Sequence, residues 1–128
     1  MNLVRLEEFA DEVPDIEDIV IDPLAMPIGA DSLHAVRTMD TISMIREEVG
    51  VNMTVGASNV SFGMPDRHTL NSVFLPMAMR SGLTSAIMDA RTPQVVTAVK
   101  GADLMLGNDE WGASWISLHR ARQAAAAQ

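Results

Sequence analysis

The stretch VNMTVGASN at residues 51–59 decides the fold that we expect for this chain. Val51, Met53 and Val55 alternate with polar residues, as in a β-strand, and Gly56 then opens a turn of small and polar residues. Helical patterns lie on both sides of this strand and are joined to it by short connections. A strand placed in this way predicts a βαβ unit and a parallel sheet.

The two flanking helices have recognisable ends. The earlier one is predicted to begin near residues 32–33 and to end at Gly50, in the position of a left-handed C-terminal cap. The later one is predicted to begin after Asp66, which can cap it, and to end at Gly82. Pro76 lies inside this second pattern and predicts a kink or a local break in its hydrogen bonding.

The same alternation continues towards both ends of the chain. Residues 19–21 are Ile-Val-Ile, a short β-branched run that suits a parallel strand covered on both faces. Residues 84–88 predict a third strand, and Thr92-Pro93 predicts the start of the helix that follows it. Residues 1–18 predict a leading helix and loop.

The last helix is predicted to present Trp111, Trp115 and Leu118 on one side, with residues 122–128 as a frayed extension. The predicted order is therefore α-β-α-β-α-β-α-α. We expect an α/β fold with about three parallel strands and covering helices. Strands this apolar need neighbours on both edges, so the sheet is expected to be part of a larger one.

Composition bounds the class of protein. The 128 residues are 48% hydrophobic and 20% charged, which suits one globular domain. Nine basic residues are scattered among 17 acidic ones, for a net charge of −8, so we expect no nucleic-acid partner. The absence of cysteine excludes disulfides, thiolate metal sites and thiol nucleophiles. With neither a signal-peptide pattern nor a membrane-length apolar run, we expect a cytoplasmic protein without membrane contact.

Each predicted strand ends in polar residues: Asp22, then Ser58 and Asn59, then Asp89. Ligands bind at the carboxyl ends of the strands in parallel α/β folds, so these side chains are expected to meet on one rim. The alternative is that each of them only shapes its turn or caps the next helix, because turns favour the same residue types.

Two other kinds of chemistry find little support. Residues 56–60 resemble the nucleophile elbow of a hydrolase, but Val60 replaces the second glycine and no histidine is marked as a partner. The sequence has no histidine pair at metal-ligand spacing and no calcium-loop spacing, so no bound metal is expected.

Four segments, taken in order, resemble a known family: IVIDPLAMPI at residues 19–28, VGASNVSFGMPDRH at 55–68, NSVFLPMAM at 71–79 and SAIMD at 85–89. They are similar to segments of the methyltetrahydrofolate:corrinoid methyltransferases. These are relatives of the folate domain of cobalamin-dependent methionine synthase and, more distantly, of dihydropteroate synthase.

The resemblance implies a partial (β/α)8 TIM barrel that binds a pterin at the carboxyl ends of its strands. A whole barrel takes about 250 residues, so residues 1–128 correspond to its carboxyl-terminal half. The implied activity moves the N5-methyl group of methyltetrahydrofolate to the cobalamin or other corrinoid of a partner protein. The implied partners are that corrinoid protein and either further copies of this chain or a complementary amino-terminal half-barrel.

The resemblance also assigns roles to two strand-end residues. Asp22 resembles the family's pterin-binding aspartate, and one ionised carboxylate can accept both an amino hydrogen and the adjacent ring N–H of a pterin. Asn59 resembles the asparagine near N5 and is the expected catalytic residue. A methyl group leaves an amine nitrogen poorly unless a proton or hydrogen bond stabilises that nitrogen.

Four further residues are expected to bind the substrate. By resemblance, Gly56 and Ser58 shape the loop beneath the ring. Arg67 matches an arginine on the side of the folate tail, although a solvent-facing residue in the first turn of a helix is an equal alternative. Phe62 replaces a polar amide of some relatives, so any contact there must be stacking or packing.

Two other functions remain open at this point. The chain could be a non-catalytic half-barrel or accessory subunit that binds a pterin weakly or binds only a protein partner. A dihydropteroate synthase ranks lower, because the basic strand-end residues expected near a departing pyrophosphate are absent.

Overall fold

The computed structural model describes residues 18–127. Over that range the chain forms three strands, β1 (Val20–Ile21), β2 (Asn52–Gly56) and β3 (Ser85–Ile87). Four α-helices alternate with them or follow them: α1 (His34–Glu48), α2 (Arg67–Ser81), α3 (Pro93–Met105) and α4 (Ala113–Ala126). Short 3₁₀ turns cover Ala57–Ser61 and Glu110–Gly112. The predicted leading helix lies outside the described residues.

The three strands form one parallel sheet in the order β1-β2-β3. Ile21 pairs with Met53, and Val55 pairs with Ala86. Each strand therefore lies beside the one that precedes it in the chain, with a helix in each connection. This is the arrangement of consecutive units in a (β/α)8 barrel, and it confirms the predicted α/β fold and its reading as a partial barrel.

Strand register separates the sheet into a covered face and a bare face. On the covered face Ile21, Met53 and Val55 are buried, and they join one hydrophobic core with the inward residues of α1, α2 and α3. On the bare face Val20 is 55% exposed and Ile87 is 70% exposed. The expectation that the strand at residues 19–21 is covered on both faces is therefore not met within residues 18–127. The helices of this segment bury one side only.

The predicted helix ends agree with the structure in position. Gly50 has a φ of +73° and donates its N–H to the Ile45 carbonyl, which satisfies an orphan acceptor at the end of α1. Asp66 and Thr92 precede α2 and α3 as predicted, but neither side chain makes a capping hydrogen bond. Helix α2 continues through Pro76 to its predicted end.

The carboxyl-terminal segment differs from the prediction at two places. Trp111 does not share a helix face with Trp115, because it lies in the 3₁₀ turn before α4 with a φ of 57° and is 91% exposed. Helix α4 continues to Ala126, past the start of the expected frayed tail. Arg122 fixes part of this extension by donating a hydrogen bond to the Thr97 hydroxyl at 2.6 Å.

Candidate functional site

The site is built where β1 and β2 end side by side. Because the two strands are parallel neighbours, Asp22 and the Ala57–Ser61 turn leave the sheet at the same edge. The loop after β1 is attached to that turn by a hydrogen bond from the Ile28 N–H to the Val60 carbonyl, at 2.9 Å. The two segments that carry the main predicted site residues are therefore held against each other.

Asp22 divides its carboxylate between its own turn and the rim. One oxygen accepts the N–H of Leu24 at 2.9 Å, which stabilises a turn in which Leu24 has a φ of 60°. The other oxygen accepts no hydrogen bond from residues 18–127, and the side chain is exposed. Turn shaping thus accounts for one carboxylate oxygen of Asp22, and the other oxygen has no partner among the described residues.

Gly56 and Asn59 fit closely together. A Cβ atom added to Gly56 would lie 3.1 Å from the Asn59 side-chain nitrogen, so the amide folds back over the glycine. Glycine has a φ of −70° here, a value that any residue adopts. The absence of a side chain, rather than backbone freedom, is what the position requires.

Arg67 ties the start of α2 to the turn that carries Asn59. Its Nη2 donates to the Ser58 carbonyl at 2.7 Å, and its Nε donates to the hydroxyl of the fully buried Ser61 at 3.1 Å. The guanidinium carbon also lies 5.6 Å from the centre of the Phe62 ring, a cation–π contact. Arg67 therefore has partners within the chain, while Phe62 remains 66% exposed on the rim.

A cleft of about 270 Å³ opens beside this turn, between the ends of β2 and β3. Met88 and Val95 contribute apolar parts of its wall. Its polar lining comes from six residues: Ser58, Arg67, His68, Asn71, Asp89 and Thr92.

The structure divides the sequence-predicted residues between the cleft and the rim. Ser58 and Arg67 line the cleft. The remaining predicted residues, Asp22, Gly56, Asn59 and Phe62, lie outside its lining.

Asn71 and His68 line the cleft but were not predicted as site residues. The sequence contains a signal for Asn71, because it shares the buried stripe of α2 with Phe74, Leu75 and Ala78 at helical spacing. A polar residue in such a stripe marks a position where something other than packing is needed. His68 carries no comparable signal, since it is an exposed residue near the start of a helix.

Asp89 resembles Asp22 in the way it uses its carboxylate. It accepts the Arg91 backbone N–H at 3.0 Å and forms an ion pair with the Arg91 guanidinium at 2.9 Å. These side-chain and backbone hydrogen bonds, together with the positive charge of Arg91, lower the pKa of Asp89 below its ordinary value. The carboxylate at this edge of the cleft is thus ionised and paired.

The part of the chain that the structure describes holds no group of three or more histidine, aspartate or glutamate residues that could bind a metal ion. Within residues 18–127, no helix has the length and apolar character that crossing a bilayer requires.

Comparison with known proteins matches this chain to pterin binding enzymes over residues 4–89, a range that contains all the predicted site residues. The methylcorrinoid:tetrahydrofolate methyltransferase of Eubacterium limosum is 35% identical over 92 residues, which cover 71% of this chain and 34% of that protein. The methionine synthases of Mycobacterium tuberculosis and Mycobacterium leprae are 40% and 39% identical over 83 residues, which cover 59% of this chain and 7% of each of them.

The chain thus spans about a third of the first of these relatives and a small part of the other two. The family match includes β1, β2, β3 and the residues that end each strand. On this match, and on the parallel sheet whose strand ends carry the predicted residues, the chain belongs to the family of pterin binding enzymes.

Proposed function

We propose that this chain forms part of a methyltransferase that moves the N5-methyl group of methyltetrahydrofolate to a corrinoid carried by a separate protein. The observation that carries the proposal is the pair of strand-end residues Asp22 and Asn59, which follow adjacent parallel strands in a pterin-binding chain. The name of the Eubacterium limosum relative, a methylcorrinoid:tetrahydrofolate methyltransferase, supplies the methyl-transfer and corrinoid chemistry.

Asp22 binds the head group in this proposal. The carboxylate oxygen that has no partner among residues 18–127 accepts the ring N–H and the amino hydrogen at the edge of the pterin, while the other oxygen keeps the turn in place. A preorganised turn of this kind orients the carboxylate before the ligand arrives, which reduces the cost of binding.

Asn59 forms a hydrogen bond with N5, the nitrogen that loses the methyl group. When the methyl group leaves, the electron pair of the broken C–N bond stays on N5, which must then be protonated or hydrogen-bonded. An amide can donate to N5 and can also accept from its protonated form. The corrinoid, held by its own protein, supplies the nucleophile that takes the methyl group.

The name of the Eubacterium limosum relative describes the transfer from methylcorrinoid to tetrahydrofolate. Forward and reverse transfer pass through one transition state, so the same residues serve both directions. The net direction of methyl transfer between methyltetrahydrofolate and the corrinoid depends on the relative concentrations of their methylated and unmethylated forms.

The bare face of the sheet supports a composite barrel. Val20 and Ile87 are exposed on the face that becomes the interior of a closed barrel. Further strands, from a complementary amino-terminal half-barrel or from another copy of this chain, would cover that face and complete the pterin-binding rim. If no further strands cover Val20 and Ile87, the bare face stays open, and the alternative function, an accessory or non-catalytic half-barrel, is favoured.

An assay of methyl transfer tests the proposal. Methyltetrahydrofolate and a reduced corrinoid protein are added to the chain, with and without a polypeptide that carries the amino-terminal strands of a relative, and the absorbance of the methylated corrinoid is followed. We expect transfer when the strands are complete, and a loss of about 100-fold in Asn59→Ala.

The control is Asn108→Ala, which removes an exposed amide outside the rim and is expected to leave the rate unchanged. An inactive mixture in the presence of both halves, with the chain folded, would contradict the methyltransferase and favour the accessory role.

A further inference from the structure

The turn that follows Asp22 contains a backbone conformation that its sequence disfavours. Leu24 has a φ of 60°, in the left-handed region, where the Cβ of an ordinary residue crowds the following carbonyl oxygen. Pro23 cannot adopt a positive φ, so the reversal of the chain falls on Leu24. Glycine would adopt the same conformation without strain. A leucine in this conformation persists only where the surrounding structure holds it there.

Hydrogen bonds hold Leu24 on both of its sides. Its N–H donates to an Asp22 carboxylate oxygen at 2.9 Å. Its carbonyl accepts the hydroxyl of Thr38 at 3.2 Å. Thr38 lies on α1 and is 2% exposed, so this second bond attaches the turn to a buried side chain of the helix layer.

The Thr38 hydroxyl has a second, local acceptor. Its oxygen lies 3.0 Å from the His34 carbonyl, the usual contact of a threonine inside a helix, and its one hydrogen is shared between the two carbonyls. The His34 carbonyl also accepts a backbone N–H in the regular pattern of α1. The Leu24 carbonyl accepts from no other donor among residues 18–127. Loss of the hydroxyl therefore leaves Leu24, rather than His34, without a donor.

The place of Thr38 in α1 is not explained by packing alone. It shares the buried stripe of the helix with Ile42 and Ile45, where valine would provide the same branched shape without a polar atom. Branching at Cβ restricts χ1 in a helix, so the direction of the hydroxyl is well defined. A polar atom that interrupts an apolar stripe beside a strained turn is typical of a functional position.

The rest of the loop after β1 is held by other bonds. His34 donates from Nδ1 to the Pro27 carbonyl at 2.8 Å, and the Ile28 N–H donates to the Val60 carbonyl at 2.9 Å. Both bonds lie beyond Leu24 in the chain and do not involve the Thr38 hydroxyl. Removing that hydroxyl should therefore loosen the turn at Asp22 without releasing the whole loop.

We infer that Thr38 is a positioning residue for Asp22. Its hydroxyl holds the Leu24 carbonyl, the Leu24 N–H holds one carboxylate oxygen of Asp22, and the other oxygen is thereby kept in place for the edge of a pterin. The part of the inference that concerns the ligand rests on the proposed function. A turn that is fixed before the ligand arrives reduces the cost of binding.

Amide hydrogen exchange of the whole ¹⁵N-labelled chain, without ligand, tests the contact itself. Thr38→Val should make exchange at Leu24 about fivefold faster, as expected for one lost hydrogen bond, and leave Ile28 unchanged. Thr38→Ser keeps the hydroxyl and should restore slow exchange. The matched control is Thr41→Val on the same helix, because the Thr41 hydroxyl makes only the local bond to the Arg37 carbonyl, at 2.8 Å. It should leave exchange at Leu24 unchanged.

Calorimetry with a reduced pterin that has no glutamate tail tests the consequence for binding. The chain is studied together with the amino-terminal strands used in the methyl-transfer assay. Thr38→Val should raise the dissociation constant about fivefold, and Thr38→Ser should bind like the parent. In methyl transfer, Thr38→Val should raise KM for methyltetrahydrofolate by a similar factor and leave kcat unchanged. A merely structural role predicts the opposite order, because serine leaves a methyl-sized cavity that valine fills.

Three results would overturn the inference: equal exchange at Leu24 in Thr38→Val and the parent, equal pterin affinity of these two proteins, or weaker binding by Thr38→Ser than by Thr38→Val. A parent chain that binds no pterin, even with the added strands, would contradict the proposed function instead. Faster exchange at Leu24 in Thr38→Val would then still support the anchoring of the turn by Thr38.

Discussion

Asp22 shows how one side chain can satisfy a turn and still serve a ligand. Sequence patterns leave turn shaping and ligand binding open as alternatives, because both favour aspartate at a strand end. The structure assigns one oxygen to the Leu24 N–H and leaves the other without a partner among the described residues. Asp22 can therefore shape its turn with one oxygen and bind a ligand with the other.

Asp22→Asn should keep the turn and weaken pterin binding. The amide oxygen can still accept the Leu24 N–H, but the second position then offers a donor to a pterin edge that presents donors. We expect the dissociation constant measured by calorimetry to rise by about tenfold or more. Asp40→Asn, an exposed change on α1, is the matched control. Unchanged affinity in Asp22→Asn would remove Asp22 from the site.

Gly56→Ala should act through Asn59. The added methyl group would lie 3.1 Å from the Asn59 side-chain nitrogen and shift it by a few tenths of an ångström, whereas the backbone at a φ of −70° accepts alanine without strain. We expect a fall in the methyl-transfer rate of about tenfold or more, with little change in the thermal midpoint.

A double-mutant cycle isolates this contact. When Asn59 is already alanine, Gly56→Ala has no amide to displace and should have no further effect on the rate. Independent, additive losses would mean that Gly56 contributes through a contact other than the one with Asn59.

At the scale of elements, Arg67 connects a helix to a turn. Its bonds to Ser58 and Ser61 need the forked geometry of a guanidinium, which a lysine cannot reproduce. Arg67→Lys should therefore loosen the turn although the positive charge is retained. Amide hydrogen exchange over residues 57–62 should be about tenfold faster, while Arg80→Lys, in the last turn of the same helix, should leave it unchanged. Unaltered exchange in Arg67→Lys would favour a role for the charge alone.

The start of α4 depends on the ionisation of Asp109. Its carboxylate accepts the backbone N–H groups of Ser114 and Trp115, both at 2.9 Å, and these bonds hold its pKa below the ordinary value of 3.8. A lowered pKa in the folded chain means that the stabilisation is present above pH 3.8 and is lost as the pH falls through the folded value.

Asp109→Ala should therefore lower the thermal midpoint by a few degrees at neutral pH and by progressively less below about pH 4. Thermal unfolding followed by circular dichroism across this range measures the difference, with the exposed Asp40→Ala on α1 as the control. A difference that persists undiminished at pH 2 would show that the carboxylate acts through contacts other than these hydrogen bonds.

Local periodicity predicted the elements well because it reflects which residues face the core. The glycine at the end of α1 and the strand at 52–56 follow directly from neighbouring residues. The partners of Arg67 could not be predicted in this way, because Ser58 and Ser61 approach it only after the turn has folded back on α2. Trp111 was misplaced because its spacing to Trp115 is helical, whereas the chain turns through a positive φ before α4 begins.

At the scale of the whole molecule, the bare sheet face is the main feature that composition does not reveal. The same alternation that buries Val55 leaves Val20 and Ile87 exposed, because residues 18–127 supply helices to one side only. Covering such a face stabilises an assembly by roughly 25 cal/mol for each Å² of apolar area removed from water. Among residues 18–127, β1 and β3 are the edge strands of the sheet, and the outer backbone groups of an edge strand favour pairing with further strands.

Ile87→Glu should prevent the assembly of a composite barrel and leave the chain folded. The side chain is already 70% exposed, so the charge costs the isolated chain little, but it would be buried inside a closed ring without a partner. Sedimentation velocity should show the parent chain associating with itself or with the added amino-terminal strands, and the variant remaining a monomer. Met105→Glu, at an 86% exposed position at the end of α3, should assemble like the parent, because it lies away from the sheet. Two results would contradict this prediction: Ile87→Glu assembling as readily as Met105→Glu, or the parent remaining a stable monomer under every condition. Either result would mean that further strands do not close the bare face, and it would favour the accessory role.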